Sequence, residues 1–399
     1  MSKYLKKLIV EFLVIPLYLV SFLIPKSSTI WVFGSWEGKK YADNTRYFFE
    51  YIVNAKSGVT PVWITCSDDV LKEVRSLGGL AYKKWSLIGI YYVARAAIAF
   101  VTHDASDINS AFMGRTKVVS LTHGVPMKKI GMDAGYQRFS RLTYVFDKYI
   151  RRLLPSTRRP DYIFVASEFS VERFVSAFGI SKEFVVPLGY PRWEPLLVDN
   201  QKSHALAGMV AGFNKVILYA PTHRKAGREA LSLLDATGLV GFVKWLKEEN
   251  FILIIRPHFA SNIEDISAVL EMGDGYIAIA DGSTVPDVNS ILWMIDFLIA
   301  DYSSLIYDFA VLRRPIISLV ADLEEYVSSD AGLYESYEVA VPGPILRTWL
   351  GMSDALSYVR TADYKVTINK FSDLHSLNAD GMANERIKKY VSNILGLSI

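Results

Sequence analysis

The chain has 399 residues, of which 51% are hydrophobic and 21% are charged, so it is long enough for two domains and too apolar to be disordered. A formal net charge of +3 excludes the dense positive charge that nucleic-acid-binding proteins usually carry. The single cysteine, Cys66, excludes an intrachain disulfide and a cysteine-rich zinc site.

Residues 1–27 form the first segment, an apolar run that contains Glu11 and Pro16 and has three lysines near its start. A helix that spans a bilayer needs about 20 predominantly apolar residues, so this run is marginal for crossing. No small-residue cleavage site follows it. We expect a helix that lies in the membrane interface, with a spanning helix as the alternative.

Short β-rich runs alternate with helical stretches after this segment, which is typical of βαβ units and a parallel sheet. We predict a first α/β domain over 28–204, a second over 205–375 and a final helix over 376–399. The predicted strands are Thr29–Phe33, Val62–Thr65, Ala97–Thr102, Thr116–Leu121, Tyr162–Ala166, Val216–Ala220, Phe251–Ile255, Tyr276–Ile279, Phe297–Ala300 and Pro315–Leu319.

The two predicted domains lack the phosphate-binding signatures of the common nucleotide folds. Neither half has GxGxxG after a strand, and no Walker sequence is present. Two Rossmann-like domains with their strand ends around a shared cleft are instead the layout of a GT-B glycosyltransferase. The predicted fold class is therefore α/β, with two Rossmann-like domains in a GT-B arrangement and a membrane-associating N-terminal segment.

The first motif with chemical character, LTHGVPMKKIG, follows a predicted strand directly. A histidine at a strand end is suited to accept a proton from an attacking hydroxyl, so His123 is the candidate general base. A packed histidine in a tight turn is the alternative. The adjacent Lys128 and Lys129 favour an anionic site, and we assign them to acceptor or membrane binding.

The basic stretch 138–159 comes next and interleaves seven basic residues with aromatic and aliphatic side chains. This pattern predicts an amphipathic helix that ends at Pro155 and contacts lipid, with an ordinary surface helix as the alternative. The arginines that we expect to face the acceptor or anionic head groups are Arg151, Arg152, Arg158 and Arg159.

Two motifs of the second predicted domain follow strands and carry groups that suit phosphate. In APTHR, Thr222 supplies a hydroxyl and Arg224 a bidentate cation, unless this is only a solvated basic loop. In RPH, the proline fixes a turn from which Arg256 and His258 can project together, with a structural turn as the alternative. His258 could also offset the charge on a leaving group, so we count it with the catalytic residues.

Two further runs complete the predicted donor site. In ADYSS, Asp301 or Ser303 is expected to cap a helix, and the free amides with the hydroxyls of Ser303 and Ser304 could cradle a diphosphate. A plain helix cap is the alternative. Glu325, in the run DLEEY after the next strand, is expected to hold a ribose or a base.

The order of these motifs resembles the CDP-glycerol glycerophosphotransferase family of teichoic acid primases and polymerases. The shared pattern is HGxPxKKxG, APTxR, RPH, DYSSxxxD and DLEEY, over about 120–335. The resemblance implies a GT-B fold, a CDP-glycerol or related CDP-polyol donor in the second domain, and an undecaprenyl-diphosphate-linked glycan acceptor. It also implies that His123 is the base and that the donor phosphates are bound by Arg256, His258, Ser303 and Ser304.

The sequence therefore predicts transfer of glycerol phosphate from CDP-glycerol, with release of CMP, by a peripheral protein on the cytoplasmic face of the cell membrane. His223, Lys225 and Phe259 stand where the family often has Trp, Asp and a second Pro, and this leaves the donor polyol open. The alternatives are a ribitol or nucleotide-sugar donor for capsule synthesis, and a catalytically silent lipid-binding module. No required cofactor is expected, with a loosely held Mg²⁺ as the alternative.

Overall fold

The structure is a computed structural model, and it describes residues 14–55, 57–134, 154–198, 206–222, 236–257, 269–329 and 332–398. The chain divides into two compact units, each built on a parallel sheet. The first unit comprises Met1–His123, Gly131–Glu194 and Asn378–Ile399, and the second comprises Gly124–Ile130 and Pro195–Leu377.

The helices in the described residues lie mostly between successive strands, as βαβ units require. They are residues 14–21 (α1), Asp43–Ala55 (α2), Asp68–Ser76 (α3), Leu87–Arg95 (α4), Glu168–Phe178 (α5), Glu194–Leu197 (α6), Leu206–Val210 (α7), Ala236–Glu249 (α8), Leu305–Ala310 (α9), Leu323–Ser329 (α10), Tyr337–Ala340 (α11), Met352–Tyr358 (α12), Ala362–His375 (α13) and Ala383–Leu395 (α14).

The strands of the first unit are Ser27–Phe33 (β1), Thr60–Thr65 (β2), Leu80–Lys83 (β3), Ala96–Val101 (β4), Lys117–Ser120 (β5), Tyr162–Val165 (β6) and Val185–Pro187 (β7). They pair in parallel in the order β3-β2-β1-β4-β5-β6-β7. The strand order reverses between β1 and β4. In doubly wound sheets, ligands bind beyond the strand ends at this switch point.

The second unit repeats this order with Lys215–Ala220 (β8), Phe251–Ile255 (β9), Ile277–Ile279 (β10), Phe297–Ala300 (β11), Ile316–Leu319 (β12) and Ile345–Leu346 (β13). The parallel sheet reads β10-β9-β8-β11-β12-β13. Its switch point lies between β8 and β11, so a ligand is expected beside the loops that follow these two strands.

Both faces of the first sheet are buried, as a doubly wound fold requires. Successive side chains of a strand point to opposite faces, so Trp31 and Phe33 of β1 pack into one apolar cluster and Val32 packs into another. The first cluster also contains Ile387 and Val391 of α14. The C-terminal helix is therefore part of the core of the first unit.

The unit boundaries differ from the expected domain boundaries in two places. The chain passes from the first unit to the second between Glu194 and Pro195, ahead of the expected boundary at residues 204 and 205. The segment expected to form a final helix at 376–399 returns to the first unit from Asn378 onward. The amphipathic pattern correctly predicted a helix, α14. The apolar side of α14 packs into the cluster that contains Trp31 and Phe33 of β1.

The described residues include no helix with both the length and the apolar run that a bilayer crossing needs. Helix α1 lies inside the expected membrane-associating segment 1–27, whose first 13 residues are outside the described part of the chain. Membrane association of this segment therefore stays a prediction.

Candidate active site

The loop after β5, which carries His123, is strained at Thr122 and tightly bound to its neighbours. Thr122 has a φ of 55°, which a β-branched residue rarely adopts. The buried Asn44 side chain of α2 donates hydrogen bonds to the carbonyl oxygens of Leu121 at 3.0 Å and Thr122 at 3.2 Å. The loop geometry is therefore imposed by a neighbouring helix and does not follow from local preference.

Arg192 binds the same loop through the backbone of His123. Its Nη1 atom donates to the carbonyl oxygen of His123 at 2.9 Å and to Oδ1 of Asp43 at 2.9 Å. The side chains of Arg192 and Asp43 are only 3% and 12% exposed. The indole N–H of Trp36 donates to the second carboxylate oxygen of Asp43. A largely buried ion pair thus connects the His123 loop to the loop after β1.

His103 lies beside His123, although the sequence analysis did not select it. The two imidazole rings are stacked, with centroids 4.6 Å apart and planes at 26°. Trp36 meets the His103 ring edge-on, at 4.8 Å between centroids. Trp36 and His103 follow β1 and β4, so they lie at the topological switch point of the first unit.

Asp107 fixes the loop that carries His103. Its buried carboxylate accepts hydrogen bonds from the backbone N–H groups of Thr102 at 2.8 Å, His103 at 2.9 Å and Glu37 at 2.6 Å. Burial raises the pKa of Asp107, whereas the N–H groups of His103 and Glu37 and the His103 imidazole favour the charged form. His103 Nδ1 lies 3.9 Å from Oδ2 of Asp107, which is ion-pair range but too long for a hydrogen bond.

The surroundings of His123 favour its neutral form. Desolvation by the packed loop lowers the pKa of the imidazole, and His103 and then Arg192 add to the effect. Because His123 is exposed, solvent screens these effects, and the direction of the shift is the consequence that matters. A neutral imidazole has a free ring nitrogen that can accept a proton, as a general base requires.

His103→Gln is expected to raise the pKa of His123, because it removes a charge that disfavours the imidazolium. The proton-accepting form exists above the pKa and is lost as the pH falls through it, so the variant should lose this form at a higher pH than the wild type. NMR titration of the histidine Cε1–Hε1 signals measures the shift. His204→Gln, outside the motifs, is the control; an unchanged His123 titration in His103→Gln would contradict the coupling.

In the second unit, Asp301 joins the loops that follow the two switch-point strands. Its carboxylate is almost fully buried and accepts from the backbone N–H of Thr222 at 2.9 Å and from the Thr222 hydroxyl at 2.5 Å. It also accepts from the N–H of Tyr302 at 2.7 Å. Thr222 and Asp301, both predicted for donor binding, are thus brought together. The buried Asp301 carboxylate holds the two loops in place through these hydrogen bonds.

A stacked tyrosine pair lies beside this junction. Tyr302 and Tyr326 are parallel within 9°, with centroids 3.7 Å apart, and the Tyr302 hydroxyl donates to Asp322 at 3.0 Å. The ammonium group of Lys128 lies 5.0 Å from the Tyr326 ring centroid and donates to its hydroxyl. Lys128 was predicted for acceptor or membrane binding; in the structure it belongs to the second unit, beside predicted donor residues.

The remaining predicted donor residues have varied surroundings. The Ser303 hydroxyl accepts from the N–H of Leu305 at 3.2 Å, so Ser303 caps α9, while Ser304 precedes the helix without a side-chain cap bond. Arg256 Nη1 donates to the Val285 carbonyl at 2.7 Å, and burial lowers the pKa of its guanidinium. Arg256 therefore supports a loop of this unit. Glu325 is exposed on α10.

Two predicted membrane arginines are engaged with the first unit. Arg158 donates to both carboxylate oxygens of Asp161, at 2.8 and 3.0 Å, and to the carbonyl oxygen of Thr116 at 3.3 Å. Arg159 donates to the carbonyl oxygen of Gly179 at 2.7 Å. Lys129 uses its backbone N–H to bind Gly332 at 3.0 Å. Arg151, Arg152, Arg224 and His258 lie outside the described residues.

The residues that the sequence analysis missed are Trp36, Asp43, Asn44, His103, Asp107 and Arg192. The sequence does indicate His103 as a candidate site residue, because it follows a predicted strand as His123 does. In the described ranges, no group of three or more His, Cys, Asp and Glu side chains could hold a metal ion. The expectation that no metal is required stays a prediction.

Two doubly wound parallel sheets, each with polar side chains at its switch point, are the architecture of the GT-B fold class. The same fold is found in a variant of the wall teichoic acid polymerase TagF that was soaked with CDPG, with a TM-score of 0.71 and 25% identity over 93% of this chain and 90% of that chain.

The sequence comparisons identify the family. A model of the CDP-Glycerol:Poly(glycerophosphate) glycerophosphotransferase family matches residues 17–393, and the chain belongs to this family. It is 30% identical to a teichoic acid poly(glycerol phosphate) polymerase of Bacillus spizizenii, covering 94% of each chain. It is 34% identical to the teichoic acid ribitol-phosphate polymerase TarK of Staphylococcus aureus, over 57% of this chain and 44% of the relative.

Proposed function

We propose that this protein transfers glycerol phosphate from CDP-glycerol to a hydroxyl group of an undecaprenyl-diphosphate-linked acceptor, in the synthesis of teichoic acid or a related cell-surface polymer. The observation that carries the proposal is the position of His123 after β5, beside a switch point, where its ring stacks on His103 and where Asn44 and Arg192 hold its loop. Membership of the family supports the donor, as does the TagF variant soaked with CDPG.

The reaction is a phosphoryl transfer on a glycosyltransferase scaffold. The acceptor oxygen attacks the β-phosphorus of CDP-glycerol and forms a new P–O bond. The bond from this phosphorus to the bridging oxygen breaks, and CMP leaves with the electron pair. A ring nitrogen of His123 takes the proton of the attacking hydroxyl, so its neutral state is a requirement of the step.

The second unit binds the donor through the loops that Asp301 joins. The Asp301 carboxylate fixes the backbones of Thr222 and Tyr302. The groups on these loops that bind the donor phosphates therefore lose little conformational freedom when the donor binds. The ammonium group of Lys128, next to Tyr326, brings a positive charge to the same unit. Positioning and charge neutralisation provide most of the acceleration in reactions of this kind.

A ribitol donor is the second candidate. The identity to the ribitol-phosphate polymerase TarK favours it over a nucleotide sugar. The departures of this chain from the family motifs, at His223, Lys225 and Phe259, also leave the donor polyol open. Chain length does not separate a primase from a polymerase, since the B. spizizenii polymerase is matched over 94% of its length.

We place the protein at the cytoplasmic face of the cell membrane as a peripheral protein. A lipid-linked acceptor presents its head group at the bilayer surface, so an enzyme that works on it gains from being held there. The apolar residues of α1 support this placement, because several of them are exposed.

Release of CMP from CDP-glycerol tests the proposal. With a lipid-linked disaccharide acceptor, CMP release should depend on the acceptor, and the acceptor mass should rise by one or more glycerol phosphate units. CDP-ribitol and UDP-sugars run in parallel identify the donor. An assay with EDTA tests the expectation that no divalent cation is required.

The Asp301→Asn variant tests the donor loops, because it removes the charge of the carboxylate that organises them and keeps the size of the side chain. Its CMP release should fall while the His103 region of the first unit is untouched. Transfer only from CDP-ribitol would assign the donor to the second candidate. Hydrolysis of CDP-glycerol with no gain of acceptor mass, or no turnover of any donor, would overturn the proposed function.

A further inference from the structure

The imidazole of His123 needs a fixed orientation to act as a base, and its side chain is exposed. No hydrogen bond or ion pair holds this ring among the residues that the structure describes, since the bond from Arg192 reaches only the backbone carbonyl. A base histidine is usually oriented by a hydrogen bond to its second ring nitrogen. An exposed side chain without that bond samples several rotamers. The described contacts that orient the His123 ring are therefore contacts with other rings.

His103 provides the closest of these ring contacts. Its imidazole is stacked on that of His123, with centroids 4.6 Å apart and planes at 26°, a favourable separation for an aromatic pair. Stacking fixes the plane of the His123 ring and leaves the nitrogen atoms at its edge free to meet an acceptor hydroxyl. Because the two rings meet face to face, His103 does not hydrogen-bond the His123 ring and does not receive its proton directly.

The ring of His103 is itself held on two sides. Its side chain is 35% exposed, and its Nδ1 atom lies 3.9 Å from the carboxylate of Asp107, which also binds its backbone N–H at 2.9 Å. Trp36 meets the same ring edge-on, at 4.8 Å between centroids and 72° between planes. Trp36 also lies 6.1 Å from the His123 ring. Trp36, His103 and His123 thus form one ring cluster in the first unit.

Trp36 connects this ring cluster to the backbone of His123 by a second route. Its indole N–H donates to the Asp43 carboxylate, and Asp43 pairs with Arg192. Arg192 in turn donates to the carbonyl oxygen of His123. The backbone and the ring of His123 are therefore both held from Trp36, one through a largely buried ion pair and the other through His103. A shift of the indole would disturb both.

The loop that carries Trp36 is strained, and its neighbours fix where the indole lies. Trp36 has a φ of 49° and Glu37 a φ of 57°, values that bulky residues rarely adopt. The N–H of Glu37 donates to Asp107 at 2.6 Å, and its carbonyl oxygen accepts from Lys84 at 2.6 Å. Strain of this kind persists only where neighbouring groups impose it, and it is concentrated at functional sites. Asp107 thus holds the backbones of Glu37 and His103 together, which places the indole against the His103 ring.

We propose that Trp36 and His103 are positioning residues for His123: their rings hold its imidazole in the orientation in which it accepts the proton of the acceptor hydroxyl. The proposal rests on the proposed function, because it assigns these residues a role toward the base of that reaction. Both act through His123 and bind neither the donor nor the acceptor. Ring stacking does here what the hydrogen bond to a carboxylate does in the Ser-His-Asp triad.

Substitution of His103 separates stacking from the other properties of its imidazole. His103→Ala should lower kcat by about 10–100-fold, the cost of a base displaced by about 1 Å, and should leave both KM values nearly unchanged. His103→Phe keeps a flat ring against His123 and should recover kcat to within about threefold of the wild type. CMP release is measured on the plateau of the pH profile, so that a changed pKa of His123 does not contribute.

Substitution of Trp36 tests whether the two rings act together. Trp36→Leu should lower kcat at least as far as His103→Ala, because it also removes the N–H donor of Asp43. The double variant should fall no further than Trp36→Leu alone, since the effects of residues that act as a unit are not additive. Trp85→Leu is the matched control and should keep the wild-type kcat, because Trp85 is an exposed tryptophan of the same unit outside the ring cluster.

The NMR signals of the histidine ring protons report the orientation of His123 without turnover. Because they lie against the His103 ring, the His123 ring protons should resonate upfield of those of an unstacked histidine. His103→Ala should remove this upfield shift and His103→Phe should keep it, at a pH at which both imidazoles are neutral. Melting temperatures measured in parallel show whether each variant is folded at the assay temperature.

A wild-type kcat in His103→Ala, or an equal loss in His103→Ala and His103→Phe, would overturn the positioning role. A rise of the acceptor KM with kcat unchanged would assign His103 to acceptor binding and would overturn it as well. A double variant whose loss equals the product of the two single losses would contradict joint action of the two rings. If the wild type transfers no glycerol phosphate, the proposed function falls, and the ring-proton shifts still decide whether His103 orients His123.

Discussion

His123→Ala is expected to lower turnover by about 10²–10⁴-fold, the usual cost of losing a general base. The affinity for CDP-glycerol should stay nearly unchanged, because the predicted donor residues Thr222 and Asp301 belong to the other unit. CMP release at saturating substrates measures the first quantity, and calorimetry with CDP-glycerol measures the second.

The fold should survive this substitution. Arg192 binds the carbonyl oxygen of His123, which alanine retains, and the side chain itself is exposed. His204→Ala, at a histidine outside the motifs, serves as the matched control and should keep full activity. Turnover of His123→Ala within a few-fold of the wild type would remove His123 from the role of base.

Arg192→Met is expected to destabilise the first unit by about 3–5 kcal/mol, the usual cost of leaving one charge of a buried ion pair without its partner. The uncompensated charge is Asp43, whose side chain is 12% exposed. The melting temperature should fall by on the order of 10 °C. Activity should fall as well, because the carbonyl oxygen of His123 loses its donor.

The double variant Asp43→Asn/Arg192→Met separates charge from packing. It removes both charges, and asparagine tolerates the φ of 62° at position 43, so part of the lost stability should return. Arg347→Met is the control, since its bridge to Glu324 is exposed and solvent-screened and should contribute little to stability. An Arg192→Met variant with the same melting temperature as the wild type would show that the ion pair does not stabilise the loop.

Central strands were predictable from the sequence, and several edge strands were not. The predicted runs Phe251–Ile255 and Phe297–Ala300 are confirmed without change of bounds. The strands that were missed are β3, β7 and β13, and each lies at the edge of its sheet. An edge strand needs only two to four residues here and is partly exposed, so it lacks the continuous apolar run by which buried strands are found.

The sequence analysis could not predict site contacts between residues that are far apart along the chain. Strand-end chemistry selects His123 and Asp301, and the same rule applied to β4 selects His103. Asp43 and Arg192 pair across 149 positions, and nothing in the spacing of either residue indicates the other. Arg158 was predicted to face lipid because of its basic neighbours, whereas Asp161, three residues later, binds it to the fold.

The return of α14 to the first unit has a consequence for biosynthesis. Ile387 and Val391 complete the apolar cluster that contains Trp31 and Phe33, so this core cannot close until residues 383–395 have left the ribosome. Translation of the second unit takes about 10–40 s at ordinary rates, and during this time one face of the first sheet lacks its final helix. The N-terminal half of the nascent chain therefore exposes apolar surface during this time, and a stop codon near residue 380 would leave the first unit, which is made first, without α14.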